Sequence, residues 1–263
     1  MNLRLDGLNA VVCGASKGLG KAVAKRFAEM GANLLIIARS QENLLLALNE
    51  IEEVNTGAAV RVLAADLSNP FGAVSHVVEG LDALGGADIL VNNTGGPAPG
   101  PILDARAEEF ISAFNSHLIA AHLLAQSVIP GMKVKKFGRI INIVSVGAKQ
   151  PIENLGVSNT IRGAVNSWSK TLSKEVAAYG ITVNNLLPGQ TNTERLRSLI
   201  AANASRKGAT IDDVTNEMIR DIPAGRFGEP EEFAAAAGFL ASREAGFING
   251  VNLPCDGGFL KGF

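Results

Sequence analysis

A chain of 263 residues, 47% apolar and 19% charged, with a formal net charge of −1, has the composition of a folded globular protein with a sizeable core. That balance argues against a nucleic-acid or anionic-membrane surface, and the one basic cluster, Lys133, Lys135 and Lys136, reads as a solvated loop. No run approaches the roughly 20 apolar residues of a membrane span, the opening MNLRLDG lacks an apolar signal core, and Cys13 and Cys255 have neither CxxC nor metal-ligand spacing. A soluble, cytoplasmic protein without a metal is expected.

The predicted elements follow one another in a regular rhythm. Residues 9–13 form a short apolar strand, and the glycines of GASKGLG follow at Gly14, Gly18 and Gly20. From 21 to 30, Ala22, Val23, Phe27 and Met30 recur at helical spacing. Strand signals return at 33–38, 59–65, 88–92, 139–144, 181–187 and, briefly, 250–253, while helical patterns fill 42–54, 71–84, 107–129, 158–179 and 230–242. Strands alternating with helices predict an α/β fold, a doubly wound parallel sheet with helices on both faces, in one domain spanning 1–263. Only 191–222 breaks the pattern. It is polar and helical, and reads as a lid over the site, with Leu196, Leu199, Ile200 and Met218 as an apolar underside that helix packing alone would also produce.

In such a sheet, ligands lie outside the carboxyl ends of the strands, near the point where strand order reverses. A glycine turn between a strand and a helix start is an anion site there. Glycine lets the backbone turn sharply and approach a ligand, and the free N–H groups and positive dipole of the helix end face a phosphate. The first turn therefore reads as a dinucleotide site. Past the second strand stand Ala38, Arg39 and Ser40. An unphosphorylated adenine ribose is usually selected by an acid at this place. Ala38 is not one, whereas Arg39 and Lys17 together can hold a 2′-phosphate, which tilts the choice to NADP over NAD. The third strand ends in Asp66-Leu67, a carboxylate placed for the adenine amino group, and the fourth in Asn92-Asn93-Thr94-Gly95, a loop able to pass beside a ribose.

These motifs, in this order, resemble those of the short-chain dehydrogenase/reductase family, of the 3-oxoacyl-ACP-reductase kind, over nearly the whole chain. Gly14, Ser16, Lys17, Gly18, Leu19 and Gly20 resemble its cofactor turn, Asp66-Leu67 its adenine contact, and Asn93 and Gly95 of NNTG its Asn-Asn-Ala-Gly loop. Asn115 matches the family's catalytic asparagine and Ser145 its catalytic serine, while Pro188, Gly189, Thr191 and Thr193 are similar to the segment against the nicotinamide carboxamide. GRFGEP at 225–230 and CDGG at 255–258 also read like the family. The resemblance implies a Rossmann-type sheet of about seven parallel strands, NADP(H) as cofactor, a small-molecule carbonyl or alcohol as substrate, and a homotetramer or homodimer.

The pattern departs at one point. In the family a tyrosine about thirteen residues beyond the serine protonates the carbonyl oxygen, and a lysine four residues later lowers its pKa and holds the nicotinamide ribose. Counting from Ser145, those positions are Ser158 and Arg162, within SNTIR, and the text downstream keeps register. Tyr179, the chain's only tyrosine, is roughly 30 Å further along the same predicted helix at 1.5 Å per residue. A serine hydroxyl is a weaker acid on a shorter side chain. Arginine stays charged, so Arg162 suits a ribose hydroxyl or a polarised oxygen better than proton transfer. Lys149, Glu153, Asn154 and His117 are candidate replacements. Lys149 and Glu153 read more simply as solvated loop charges, and His117 as a packed helix histidine; His76, His122 and Trp168 read as surface or packing residues. Three functions stay open: a carbonyl/alcohol oxidoreductase with an altered proton donor, a cofactor-binding regulatory subunit, and lyase-type chemistry in the same cleft.

Overall fold

The apolar runs become seven parallel strands: β1 (Asn9–Cys13), β2 (Asn33–Ala38), β3 (Val60–Ala64), β4 (Ile89–Asn92), β5 (Gly138–Ile143), β6 (Ile181–Pro188) and β7 (Asn252–Cys255), in the order β3-β2-β1-β4-β5-β6-β7. The computed structural model describes residues 2–262. The strand order reverses between β1 and β4, so the crevice at their carboxyl ends is the place for a ligand.

Successive strand residues point to opposite faces, so a run such as NLLIIA feeds two cores at once. Leu34 and Ile36 join Val12, Phe27 and Phe233 on the face covered by α1 (Gly18–Glu29), α2 (Gln41–Glu52) and α9 (Pro230–Ala241). Leu35 and Ile37 join Val11, Val77, Leu124 and Val128 on the face covered by α3 (Pro70–Leu84), α5 (Ala120–Lys135) and α6 (Gly156–Val176). Phe27 and Phe233 are fully buried, each worth about 2–3 kcal/mol of apolar transfer. Cys13 lies in the same interior, where burial pushes its thiol up to about 12 and leaves it unreactive.

Two segments differ from the sequence reading. The helix expected at 107–129 is α4 (Ala107–Phe114), then one π-helical turn over Asn115–Ile119, then α5. The extra residue in that turn re-aims what it carries, as such bulges do at functional sites. The expected lid is a pair of helices, α7 (Glu194–Lys207) and α8 (Ile211–Arg220), started by Thr193 and Thr210, whose hydroxyls accept from Leu196 N and Asp213 N. Leu196, Ile200, Ala204 and Val214 pack together with Met218 and Phe227 against them, so helix packing accounts for that apolar side. Trp168 is partly buried on α6, edge-on to His122, in packing as expected. No helix among the described residues is long and apolar enough to cross a membrane.

Candidate active site

The glycine turn joins β1 to α1. Gly14 has φ +61°, and a Cβ there would stand 2.5 Å from Asn93 Nδ2; a Cβ at Gly20 would collide with the Gly14 carbonyl. Asn93 Nδ2 donates to Gly14 O at 3.3 Å, so the loop after β4 is stitched to the turn after β1. The result is a bare backbone cradle at the N-terminus of α1, which fits a pyrophosphate. Ser16, Gly18 and Leu19 are partly buried along it, and Thr193 reaches over from the start of α7, its methyl 3.5 Å from the place of a Gly18 Cβ.

The residues expected at the adenine end are open to solvent. Arg39 is exposed and has no hydrogen-bond or ion-pair partner among the described residues. Lys17, also exposed, is held by Glu194 of α7 at 3.2 Å, a pairing that the sequence reading did not anticipate. Asp66 is exposed, and its carboxylate accepts Ser68 N at 3.0 Å, while Leu67 is buried beneath it. Gly95 is exposed, with nothing within 4 Å of where a Cβ would stand. On the opposite wall, Pro188 ends β6, Gly189 N donates to Cys255 O at 3.0 Å, and buried Thr191 pairs with Gly228.

The residues expected at the reacting end lie beyond β5. Ser145 is half-buried, and its Oγ accepts Gly147 N at 3.0 Å, which leaves the hydroxyl proton free to be given to a ligand oxygen. Asn115 is the first residue of the π turn, and its carbonyl takes the N–H of Ala120. Ser158 is half-buried on the first turn of α6 and makes no side-chain hydrogen bond among the described residues; one turn on, Arg162 is 8% exposed and donates from Nη1 to Ile143 O at 2.6 Å. Its Nε has no partner among the described residues. Burial, reinforced by the charge of Arg195, pushes the Arg162 guanidinium down to about 10, so it is protonated at neutral pH.

His117 is buried, and its Nδ1 meets Thr94 Oγ1 at 2.6 Å. Burial and the nearby Arg162 charge take its pKa down to about 2, against a smaller pull from the Gly95 carbonyl; the ring is therefore neutral. It shares a cavity of about 20 Å³, the room of one water molecule, with Asn92, Thr94, Asn142 and Arg162. Asn92 Oδ1, His117 Nε2 and Arg162 Nε are the buried polar atoms there without a protein partner. Below it runs an asparagine ladder that sequence reading missed. Asn92 Nδ2 donates to Asn142 Oδ1 at 2.8 Å, Asn142 to Asn185 at 2.9 Å, and Asn185 to Asn252 at 2.8 Å. Each member is the register partner of the next on a neighbouring strand.

Lys149 and Glu153 are exposed, as solvated loop charges are. Asn154 has φ +59° and accepts Gly100 N at 2.7 Å, tying the loop after β4 to the start of α6. Tyr179 sits in the short turn after α6, under the Lys133 ammonium, well away from Ser158. Arg195, also missed, is half-buried on the first turn of α7 and donates from Nη2 to Pro97 O at 2.7 Å. No group of metal-ligating side chains is found among the described residues.

Comparison with known proteins places the chain. A family model described as enoyl-(acyl carrier protein) reductase matches residues 14–260. The 3-oxoacyl-[acyl-carrier-protein] reductase FabG of Vibrio cholerae is 34% identical over 258 residues, covering 97% of this chain and 98% of its own. The chain belongs to the short-chain dehydrogenase/reductase family. Within that family, the NADPH-dependent reductase BacG of Bacillus subtilis is 34% identical over 253 residues, covering 96% of this chain and 97% of its own. L-sorbose reductase from Gluconobacter frateurii, solved with NADPH and L-sorbose, superimposes with a TM-score of 0.93 at 34% identity, with complete coverage of both chains (100% each). The seven-stranded parallel sheet with flanking helices is the family's Rossmann-like architecture.

Proposed function

We propose that this chain is an NADP(H)-dependent oxidoreductase that interconverts a carbonyl compound and a secondary alcohol with a proton-donor system other than the tyrosine–lysine pair. The observation that carries the reading is the pairing of an open glycine cradle with a Ser145 hydroxyl free to donate, at the carboxyl ends of adjacent parts of one sheet. The chain is an oxidoreductase of its family, and NADP(H) is the cofactor, in keeping with relatives named for NADPH. When bound, NADP(H) supplies hydride to, or takes it from, the substrate carbon. Gly14, Ser16, Gly18, Leu19 and Gly20 would hold the pyrophosphate, Arg39 and Lys17 the 2′-phosphate, and Asp66 and Leu67 the adenine. Asn93, Gly95, Pro188, Gly189, Thr191 and Thr193 would line the nicotinamide half.

Ser145 would donate its proton as a hydrogen bond to the substrate oxygen and orient it. Arg162, with one N–H on Ile143, has others left for the nicotinamide ribose or for a developing negative charge on an oxygen. Asn115 opens a π turn whose next residues place His117 against Thr94, and the carbonyl of Asn115 would serve a water that feeds protons to the site. Neither neutral His117 nor charged Arg162 titrates near pH 7, so neither can relay a proton by changing charge there. Ser158 would bound the substrate space and leave it wider than a phenol would. Residues 191–222 would act as a lid, latched to the cofactor turn by Lys17 and Glu194. We place the protein in the cytoplasm, as a homodimer or homotetramer.

The test is NADPH oxidation against a panel of ketones and keto acids, run on the wild type, on Ser145→Ala and on a Ser158→Tyr, Arg162→Lys double variant. Turnover by the wild type that drops about 10²-fold in Ser145→Ala supports the reading. No turnover by the wild type, with ketone reduction appearing only in the double variant, overturns it in favour of a cofactor-binding subunit.

A further inference from the structure

One ammonium on the cofactor turn is claimed by two anions. Lys17 Nζ donates to Glu194 Oε2 at 3.2 Å, so the residue that caps α1 is paired with the first residue of α7. The pair stands at the glycine cradle: Thr193, one residue before Glu194, has its methyl 3.5 Å from the place of a Cβ on Gly18, one residue after Lys17. The reductase reading gives the same ammonium, together with Arg39, to the 2′-phosphate of the cofactor. Of these two cations, Arg39 is in no ion pair among the described residues, whereas Lys17 is already taken.

The start of α7 does not need this pair to stay in place. Half-buried Arg195 donates to Pro97 O at 2.7 Å, and Asn192 N to Gly228 O at 2.8 Å. The Lys17 and Glu194 side chains, by contrast, are 52% and 64% exposed, and a pair so exposed is worth little in water. A phosphate monoester carries more negative charge and more acceptor oxygens than a carboxylate, so it is the stronger partner for an ammonium. We propose that Glu194 is the resident counter-ion of Lys17 that the 2′-phosphate of NADP(H) displaces, which makes Glu194 a specificity-determining residue that lowers affinity for NADP(H) and not for NAD(H). This rests on the reductase reading above. NAD(H) has no 2′-phosphate and leaves the pair closed. Displacement leaves the Glu194 carboxylate without its partner and beside a second anion, a cost that falls on NADP(H) alone.

The test is fluorescence titration with NADPH and with NADH of the wild type, Glu194→Gln, Lys17→Met and the double variant. Physiological ionic strength is used, at which exposed charges beyond contact are largely screened. Glu194→Gln removes the charge and keeps the Thr193 cap of α7. Calorimetry with 2′,5′-ADP and 5′-ADP on the same proteins separates the 2′-phosphate from the nicotinamide. Glu194→Gln is expected to bind NADPH about threefold tighter than the wild type and NADH alike, with 2′,5′-ADP following NADPH and 5′-ADP following NADH. Without Lys17 the same substitution is expected to change nothing, because the ammonium in dispute is gone. A merely structural role at the start of α7 would move both nucleotides together. NADPH affinity unchanged or weakened in Glu194→Gln, an equal gain for NADH, or the full gain persisting in the Lys17→Met background overturns the inference and leaves the reductase reading standing. Failure of the wild type to bind either nicotinamide nucleotide overturns the reductase reading, and 2′,5′-ADP against 5′-ADP then decides whether Glu194 and a 2′-phosphate compete for Lys17.

Discussion

Strand β5 has a buried arginine at each end, and the two are built differently. At its start, Arg139 donates to Ser242 O at 3.1 Å, Gly138 O at 2.8 Å and Gly180 O at 3.3 Å, and its guanidinium stacks 4.3 Å above the Phe137 ring. At its end, Arg162 has Ile143 O alone and an orphaned Nε. Burial pushes both down to about 10, reinforced by Arg243 in one case and Arg195 in the other. Arg139, spread over three carbonyls at the opposite end of the strand from the crevice, serves the fold. Arg162, with one carbonyl and an orphaned Nε at the crevice, has N–H groups left over that the proposed reading gives to a ligand.

Opposite outcomes are expected when each is removed. Arg139→Met leaves the buried Ser242 carbonyl without its Arg139 donor and is expected to cost about 1–3 kcal/mol in urea unfolding, with NADPH affinity unchanged. Arg162→Met also leaves the buried Ile143 carbonyl without its donor but removes an uncompensated buried charge that offsets this, so its stability is expected within about 1 kcal/mol of wild type. Its turnover should fall about 10²-fold. A large stability loss in Arg162→Met would mean that the two ends of β5 are alike after all. The next effect concerns the cofactor. Arg39→Ala is expected to weaken NADPH about tenfold, or about 1.4 kcal/mol, and to leave NADH unchanged; fluorescence titration with both nucleotides checks it.

The last effect is on pH dependence and concerns the neighbour of Arg162. His117 is neutral in the folded protein down to about 2, whereas the unfolded chain takes up a proton below about 6.5. Between those values the unfolded state binds the extra proton, so His117 removes stability as pH falls, by up to about 1.4 kcal/mol per unit. His117→Gln is expected to flatten the slope of unfolding free energy between pH 4 and 6 by one proton. An unchanged slope would show that His117 titrates normally in the folded state.

Much of this was legible in the residues, and the rest was hidden for physical reasons. Alternating strand and helix periods set the sheet and its helices, and GASKGLG stood out because a strand runs into it and a helix out of it. Ser158 and Arg162 were found by counting from Ser145. The ladder from Asn92 to Asn252 could not be read, because each asparagine sits alone in its own strand and only parallel register brings the four into line. The π turn at Asn115 has no compositional signal, since one inserted residue shifts the helical period locally and leaves residue types unchanged. Arg195 looked like one more charge in a polar segment. Its partner carbonyl at Pro97 is 98 residues away, and burial by a distant loop is what separates it from its exposed neighbour Arg197. Glu194 was hidden in the same way, since its contact with Lys17 joins the lid to the other end of the chain.

The central claim is that the turn after β1 holds NADP(H) although no tyrosine stands near Ser145. Fluorescence titration of the purified wild-type protein with NADPH, beside NADH, tests it most directly. Saturable NADPH binding at least about tenfold tighter than NADH is the expected result, and the absence of measurable binding of either nucleotide would contradict it.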